Sequence, residues 1–253
     1  MLRPGLPTYA GLMPSSRRPI GEYTSIAQWI DGQSSSTPFY GNDPSEIDYD
    51  HMGFVGIDHR VPVHEVGALK AQSLAAAWHR AREYVYEACE IVRAPDGPPL
   101  LDREETDMIV DQLGPPPPHC YPLYFLAVRD RQTNVETVVY VGKTSSNKNR
   151  FAGGHGAFTK LHHPDYEGMD KLAYLGTVML IDTKGDYLPL EAVRPLERAE
   201  QMLRAIEAQL IYELDPPLNV QARQRNLSSL PIDIHIQNTV STLLRDYFIF
   251  RAA

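Results

Sequence analysis

The chain has 253 residues, enough for one large domain or two small ones around a buried core. Its 43% apolar and 22% charged content is that of an ordinary globular protein, which excludes a chain disordered throughout. The net charge of −8 has the wrong sign for a protein that coats nucleic acid by neutralising phosphates.

The charge is uneven. Residues 1–118 carry 17 Asp+Glu against 9 Lys+Arg, residues 119–226 carry 13 of each, and the last 27 residues carry 2 of each. Two cysteines without paired spacing, Cys89 and Cys120, exclude a disulfide framework and a zinc finger and fit a reducing compartment. With no signal-peptide core and no apolar run long enough to span a bilayer, the expectation is a soluble cytoplasmic protein without a membrane partner.

In chain order, residues 1–60 mix Pro, Ser, Gly and scattered aromatics without a sustained period. They read as an irregular arm, packed on the rest through Tyr23, Trp29, Tyr40 and Phe54. From Glu65 to Val92, small apolar residues recur at helical spacing around Trp78, the one large side chain on that face and its expected anchor. A second helix is expected from Asp102 to Leu113, stopped by Gly114. Pro115 to Pro118 cannot continue it and mark the expected domain boundary.

Tyr121–Val128 and Thr137–Val141 read as paired strands around the turn-like stretch Arg129–Asn134. A loop follows, then a short helix near Arg150 or at Ala157–His162, a third strand at Leu172–Ile181, and a strongly periodic helix from Pro195 to Leu214. The expected fold is α+β: a small mixed three-stranded β-sheet flanked by helices over 119–226, preceded by a helical and irregular region. The appendage 227–253 holds a short apolar segment, Ile232–Ile236, and a helix from about Thr239 to Phe248.

Phosphodiester hydrolysis needs an activated water, a divalent cation at the scissile phosphate and a cation against the phosphoryl oxygens. Residues 121–219 supply candidates in a definite order: Pro122-Leu123-Tyr124, then Tyr140-Val141-Gly142 followed by Lys143 and Thr144, then Arg150 and His155. Last come Glu207, Leu210-Ile211, Pro216-Pro217 and Asn219. This series resembles the GIY-YIG nuclease family, which includes excision nucleases, homing endonucleases and restriction enzymes. Of the first motif only the tyrosine is kept.

The resemblance implies Tyr124 as general base or water-orienting group, with Tyr140 beside it. Arg150 and Lys143 would bind phosphate, and His155 would contact it or protonate the leaving oxygen. Glu207 would hold Mg2+ or Mn2+. Asn219, counted with the phosphate-side residues, would anchor the helix end and nearby backbone. Tyr124, Tyr140, Arg150 and Glu207 should then share one cleft, with Glu207 on the tyrosines' side of the sheet. Glu207 has an independent argument: it falls at the edge of the apolar stripe of its helix, where a carboxylate needs a partner or a cation, with Glu200 as its nearest competitor.

Taken singly, each residue has a plainer reading. A tyrosine in an apolar strand is more often core, Arg150 a solvated loop residue and Glu207 half of an ion pair. His162, His163 and Asp165 read as a polar loop rather than a metal cluster, and Cys120 as a buried or semi-exposed thiol. Jointly they point to an endonuclease acting on nucleic acid, DNA ahead of RNA, in a defence or restriction-like role. Residues 1–118 would then serve oligomerisation, a protein partner, regulation or target choice. The alternative is a non-catalytic module of the same fold that binds nucleic acid or protein and is regulated by its acidic N-terminal region.

Overall fold

The computed structural model describes residues 30, 49–68, 73–93, 101–117, 120–144, 156–182, 187–221, 223, 228, 230 and 232–250. Tyr23, Trp29 and Tyr40 lie outside them. The strands are β1 (Tyr49–Pro62), β2 (Leu123–Arg129), β3 (Glu136–Lys143), β4 (Asp170–Asp182), β5 (Tyr187–Pro189), β6 (Asp233–Asn238) and β7 (Tyr247–Ile249). The helices are α1 (Leu74–Ile91), α2 (Arg103–Leu113), α3 (Gly156–Lys160) and α4 (Leu196–Leu214).

The sheet has seven strands rather than the expected three, in the order β3-β2-β4-β1-β6-β7, with β5 paired to the last part of β4 beyond the end of β2. The β2–β3 hairpin and β4 form antiparallel as their patterns predict. The enlargement comes from segments that carry no clear strand signal. β1, from the supposed irregular arm, pairs antiparallel with β4 from Tyr49↔Asp182 to Pro62↔Leu172. β6 then pairs parallel to β1, and β7 closes the edge. One hydrogen-bonded sheet therefore spans both sides of the proline boundary.

The inward positions of β1 that escape a periodicity reading are Gly53, Val55 and Ile57. Gly53 lets α4 approach closely: a Cβ there would touch Ile206 and Ile232 at 3.4 Å. The expected C-terminal helix is absent. The Asn238 side chain instead accepts from the Val240 and Ser241 amides at 3.0 and 3.1 Å and donates to the Leu243 carbonyl at 2.6 Å. Leu244 and Asp246 are left-handed, with φ of 54° and 50°, which no helix interior accepts.

Two layers cover the sheet. The apolar face of α4 (Met202, Leu203, Ile206, Leu210) and Leu74, Ala77 and Trp78 of α1 share a core with Val55, Leu123, Phe125, Val141 and Ile234. The opposite face carries Tyr124, Leu126, Val128, Ala173 and Leu175, packed with Ala157 and Leu161. α1 starts at Leu74 with Ser73 as its cap, later than the pattern suggests, after a 3-10 turn at Val63–Ala68. α2 forms as expected, closed by a capping box from Asp102 and Glu105 and ended at Gly114 with φ +78°. No helix of the described residues is long and apolar enough to cross a membrane.

Trp78 is the expected anchor: it is buried, and the Arg194 guanidinium lies 4.2 Å over its ring. Nearby, burial pushes the Glu191 carboxyl up to about 7, against the opposing pull of Arg194. In the unfolded chain this group ionises first as pH rises, so its contribution favours folding below pH ~4.5 and is lost progressively up to about 7. Glu191→Gln should therefore gain up to about 3 kcal/mol relative to the parent at pH 8 and little at pH 4.5. Urea unfolding at the two pH values reads this; an equal difference at both would show that Glu191 folds with an ordinary carboxyl.

Candidate functional site

Strand β3 has β2 on its inner edge, and its outer edge is closed by the chain that leaves α4. The helix stops at Asp215, whose left-handed φ of 42° turns the backbone. The Leu218 amide then donates to the Val139 carbonyl at 2.9 Å. Asn219 completes the seam: Oδ1 accepts from the Val141 amide at 2.9 Å and Nδ2 donates to the Val141 carbonyl at 2.8 Å. The side chain is buried at 7% exposure and both ends of its amide are engaged, so its place in the site is as an anchor of β3 rather than as a phosphate contact.

The β2–β3 ladder slips by one residue between Leu126 and Ala127, which leaves Val139 as a bulge. Val138 belongs to the core under α4, whereas Val139 and Tyr140 both turn to the opposite face. Tyr140, two residues before Gly142 on the regular side of the bulge, stands on the same face as Tyr124. The two rings lie 5.9 Å apart at 30°. Their shared floor is Gly142, directly opposite Tyr124 in the ladder. A Cβ on Gly142 would fall 2.5 Å from Tyr124 Oη and 2.7 Å from Tyr140 Cε1, so only glycine leaves room for the phenol.

Beyond Gly142 the alternation returns Lys143 to the α4 face, where its Nζ lies 3.5 Å from Glu207 Oε2. Both side chains are about four-fifths buried, with 19% and 21% exposed. The two pairs thus meet the same end of β3 from opposite faces: Tyr124 with Tyr140, and Lys143 with Glu207. The expected single-sided cleft is replaced by this two-sided arrangement, because α4 packs on the Leu123–Phe125 face of the sheet. Arg150 and His155 lie outside the described residues.

The remaining candidates are placed as follows. Glu200 pairs with Arg204 at 3.1 Å on the exposed side of α4. His163 and Asp165 are exposed and form a local 3-10 cap, as a polar loop would. Cys120 is buried, and burial, with Glu191 adding to it, pushes its thiol well above the ordinary range. Among the described residues no three His, Cys, Asp or Glu gather as a metal cage.

A second polar group had no linear signal. Arg60, Glu136 and Tyr174 come from β1, β3 and β4; Arg60 and Glu136 pair at 3.4 Å, and both, with Ser241, lie around the buried Tyr174 hydroxyl. Only strand pairing brings these residues together.

Two stability predictions follow from the seam and its floor. Gly142→Ala should cost about 1–3 kcal/mol, since the ring of Tyr124 or Tyr140 must move. A melting curve equal to the parent's would mean that the rings do not rest on Gly142. Asn219→Ala orphans a buried amide and carbonyl of Val141, at about 1–3 kcal/mol for each group. Asn219→Asp, which keeps only the acceptor, should fall between the two; chemical denaturation ranks all three.

Comparison of the chain with protein-family models, with curated proteins and with solved structures returns no match.

Proposed function

We propose that the chain is a metal-dependent endonuclease that hydrolyses phosphodiester bonds in nucleic acid, DNA ahead of RNA. The observation that supports it most is that four such groups meet at one end of β3: the Tyr124 hydroxyl and Tyr140 ring over Gly142 on one face, and Lys143 with Glu207, one residue further on, at the other. In this reading Tyr124 orients the attacking water and accepts its proton, and Tyr140 holds water or a phosphate oxygen. Lys143 supplies positive charge at the phosphate. Asn219 keeps the end of β3 in place, so that the two hydroxyls do not have to be ordered during the reaction.

A cation such as Mg2+ or Mn2+ fits Glu207 by donor chemistry. Magnesium takes one or two carboxylates and completes its shell with water and substrate phosphates. The 3.5 Å spacing to Lys143 is that of a loose ion pair rather than a tight hydrogen bond. When bound, the cation supplies charge neutralisation at the phosphoryl oxygens. A cytoplasmic setting agrees with the two cysteines, both buried and free. A defence or restriction-like role would employ such a single-site enzyme.

The rival reading, a non-catalytic binding module, is favoured by the placement of Glu207 and both tyrosine rings on opposite faces of β3. One experiment separates them. Plasmid, single-stranded DNA and RNA are incubated with the protein, with and without Mg2+ or Mn2+, alongside Tyr124→Phe and Glu207→Gln. For the nuclease, both variants should bind substrate like the parent while cleavage falls by orders of magnitude, the pattern of interactions made in the transition state. The parent rate should rise with pH in the alkaline range, since a phenol ordinarily keeps its proton to about pH 10, and Tyr124→Phe should lose that rise. Binding without metal-dependent cleavage by the parent would leave the module as the function.

A further inference from the structure

Of the two phenols at the end of β3, one meets solvent. Tyr124 is 1% exposed, whereas Tyr140, on the edge strand, is only partly buried. A phosphate that reaches this face therefore arrives over the outer edge of β3, where the chain leaving α4 runs through Leu218 and Asn219.

A phosphate there needs a cation, and the basic residues of the hairpin are turned elsewhere. Lys143 lies on the α4 face and pairs with Glu207 at 3.5 Å. Arg129 and Arg131 belong to the other end of β2, and both pair with Asp170.

Lys160, the last residue of α3, is placed differently. Ala157 and Leu161, one turn apart, are buried in the cluster that holds Tyr124 and Val139, and they fix α3 on the tyrosine face. Lys160 stands at the flank of that contact and is exposed. Its Nζ reaches the seam along β3 and donates to the Leu218 carbonyl at 3.3 Å. The Leu218 amide in turn donates at 2.9 Å to the Val139 carbonyl, which is bonded to the nitrogen of Tyr140. These links hold the ammonium within about 10 Å of that carbonyl oxygen. Leu218 and Tyr140 also pack against the same cluster. Among the described residues no carboxylate pairs with Lys160, and its hydrogen-bond partner is a neutral carbonyl.

We propose that Lys160 is the phosphate-binding cation of the tyrosine face, giving its protons to a phosphate oxygen of nucleic acid held beside Tyr140. The assignment deepens the nuclease reading and rests on it for the identity of the ligand. Lysine suits the position, because a compact charge with three donors can keep the carbonyl and still meet a phosphate. A neutral acceptor also holds it less strongly than a carboxylate would. One local contact of this kind needs no broad basic surface, which a net charge of −8 does not offer.

The test reads the contact without cleavage. The whole protein in EDTA is titrated with fluorescein-labelled duplex and single-stranded DNA, by anisotropy, across about 50–300 mM salt. Each phosphate contact adds about 0.9 for duplex, or about 0.7 for a single strand, to the slope of log affinity against log salt. At about 0.15 M salt that is about four- to fivefold in affinity. Lys160→Gln should lower the slope by about one contact and weaken binding by that factor, while melting like the parent. Lys160→Arg should restore both. Arg103→Gln makes the same charge change on α2, where the side chain is 93% exposed, and should keep the parental slope. In Mg2+, cleavage by Lys160→Gln should fall at least as far as its affinity.

A parental slope in Lys160→Gln overturns the proposal, and an earlier melt in the same variant would mean that the side chain only caps the Leu218 carbonyl. If the parent still cleaves, that result keeps the nuclease and removes Lys160 from it. A lowered slope with no cleavage by the parent in Mg2+ or Mn2+ keeps the phosphate contact and removes the nuclease reading. A parent that binds neither DNA overturns both.

Discussion

Strand β4 is hydrogen-bonded along both edges, and nearly everything placed in this molecule is placed relative to it. One edge takes β2 over its first half and β5 near its end; the other takes β1 along almost its whole length. Because each partner is antiparallel to β4, its side-chain alternation is locked to that of β4. The core under α4 and the core under α3 are therefore defined by one parity choice. A strand that slipped by one residue would exchange the two faces and bury the wrong set. The cost of such a slip, spread over Val55, Ile57, Phe125, Tyr174 and Val178, makes the register of the whole sheet definite.

Against that register, the site is built from departures. A single extra residue at Val139 places its side chain on the same face as its neighbour Tyr140. A residue without a side chain at Gly142 lets the phenol lie across the backbone. An asparagine at 219 satisfies the outward amide and carbonyl of Val141 where a further strand would otherwise be needed. Each departure is stabilised by ordinary packing around it, and all are gathered on the last residues of one edge strand. Edge strands with open hydrogen-bonding groups invite pairing with other chains; here the turn after α4 covers that edge. At the opposite edge, β7 presents aromatic rings rather than a sealing turn.

The acidity of the chain is compatible with work on nucleic acid only if charge is not the main source of affinity. Lys143 is held by Glu207, and Arg129 and Arg131 are both held by Asp170, at 2.6 and 2.8 Å. Among the described residues of the hairpin, the basic side chains are thus occupied within the fold.

Local pattern was enough for β2, β3, β4, α2 and α4, because each carries a period of its own and a chemical stop: Gly114 after α2, and the Pro216-Pro217 pair after α4. The order of tyrosine, tyrosine and glutamate along those elements was legible for the same reason, whereas the bonding of Asn219 to the Val141 backbone came only with the tertiary structure. The seven-stranded sheet was not. The inward row of β1 is Gly53, Val55 and Ile57, too sparse to announce a strand, and its partner β6 lies some 180 residues away. Nor could the sequence place Glu207 relative to the tyrosines. In a strand, the face a side chain occupies is a matter of odd or even count, and that count does not say which face a helix far along the chain will cover. That parity is settled only when β3 pairs with β2 and α4 packs down on one chosen side.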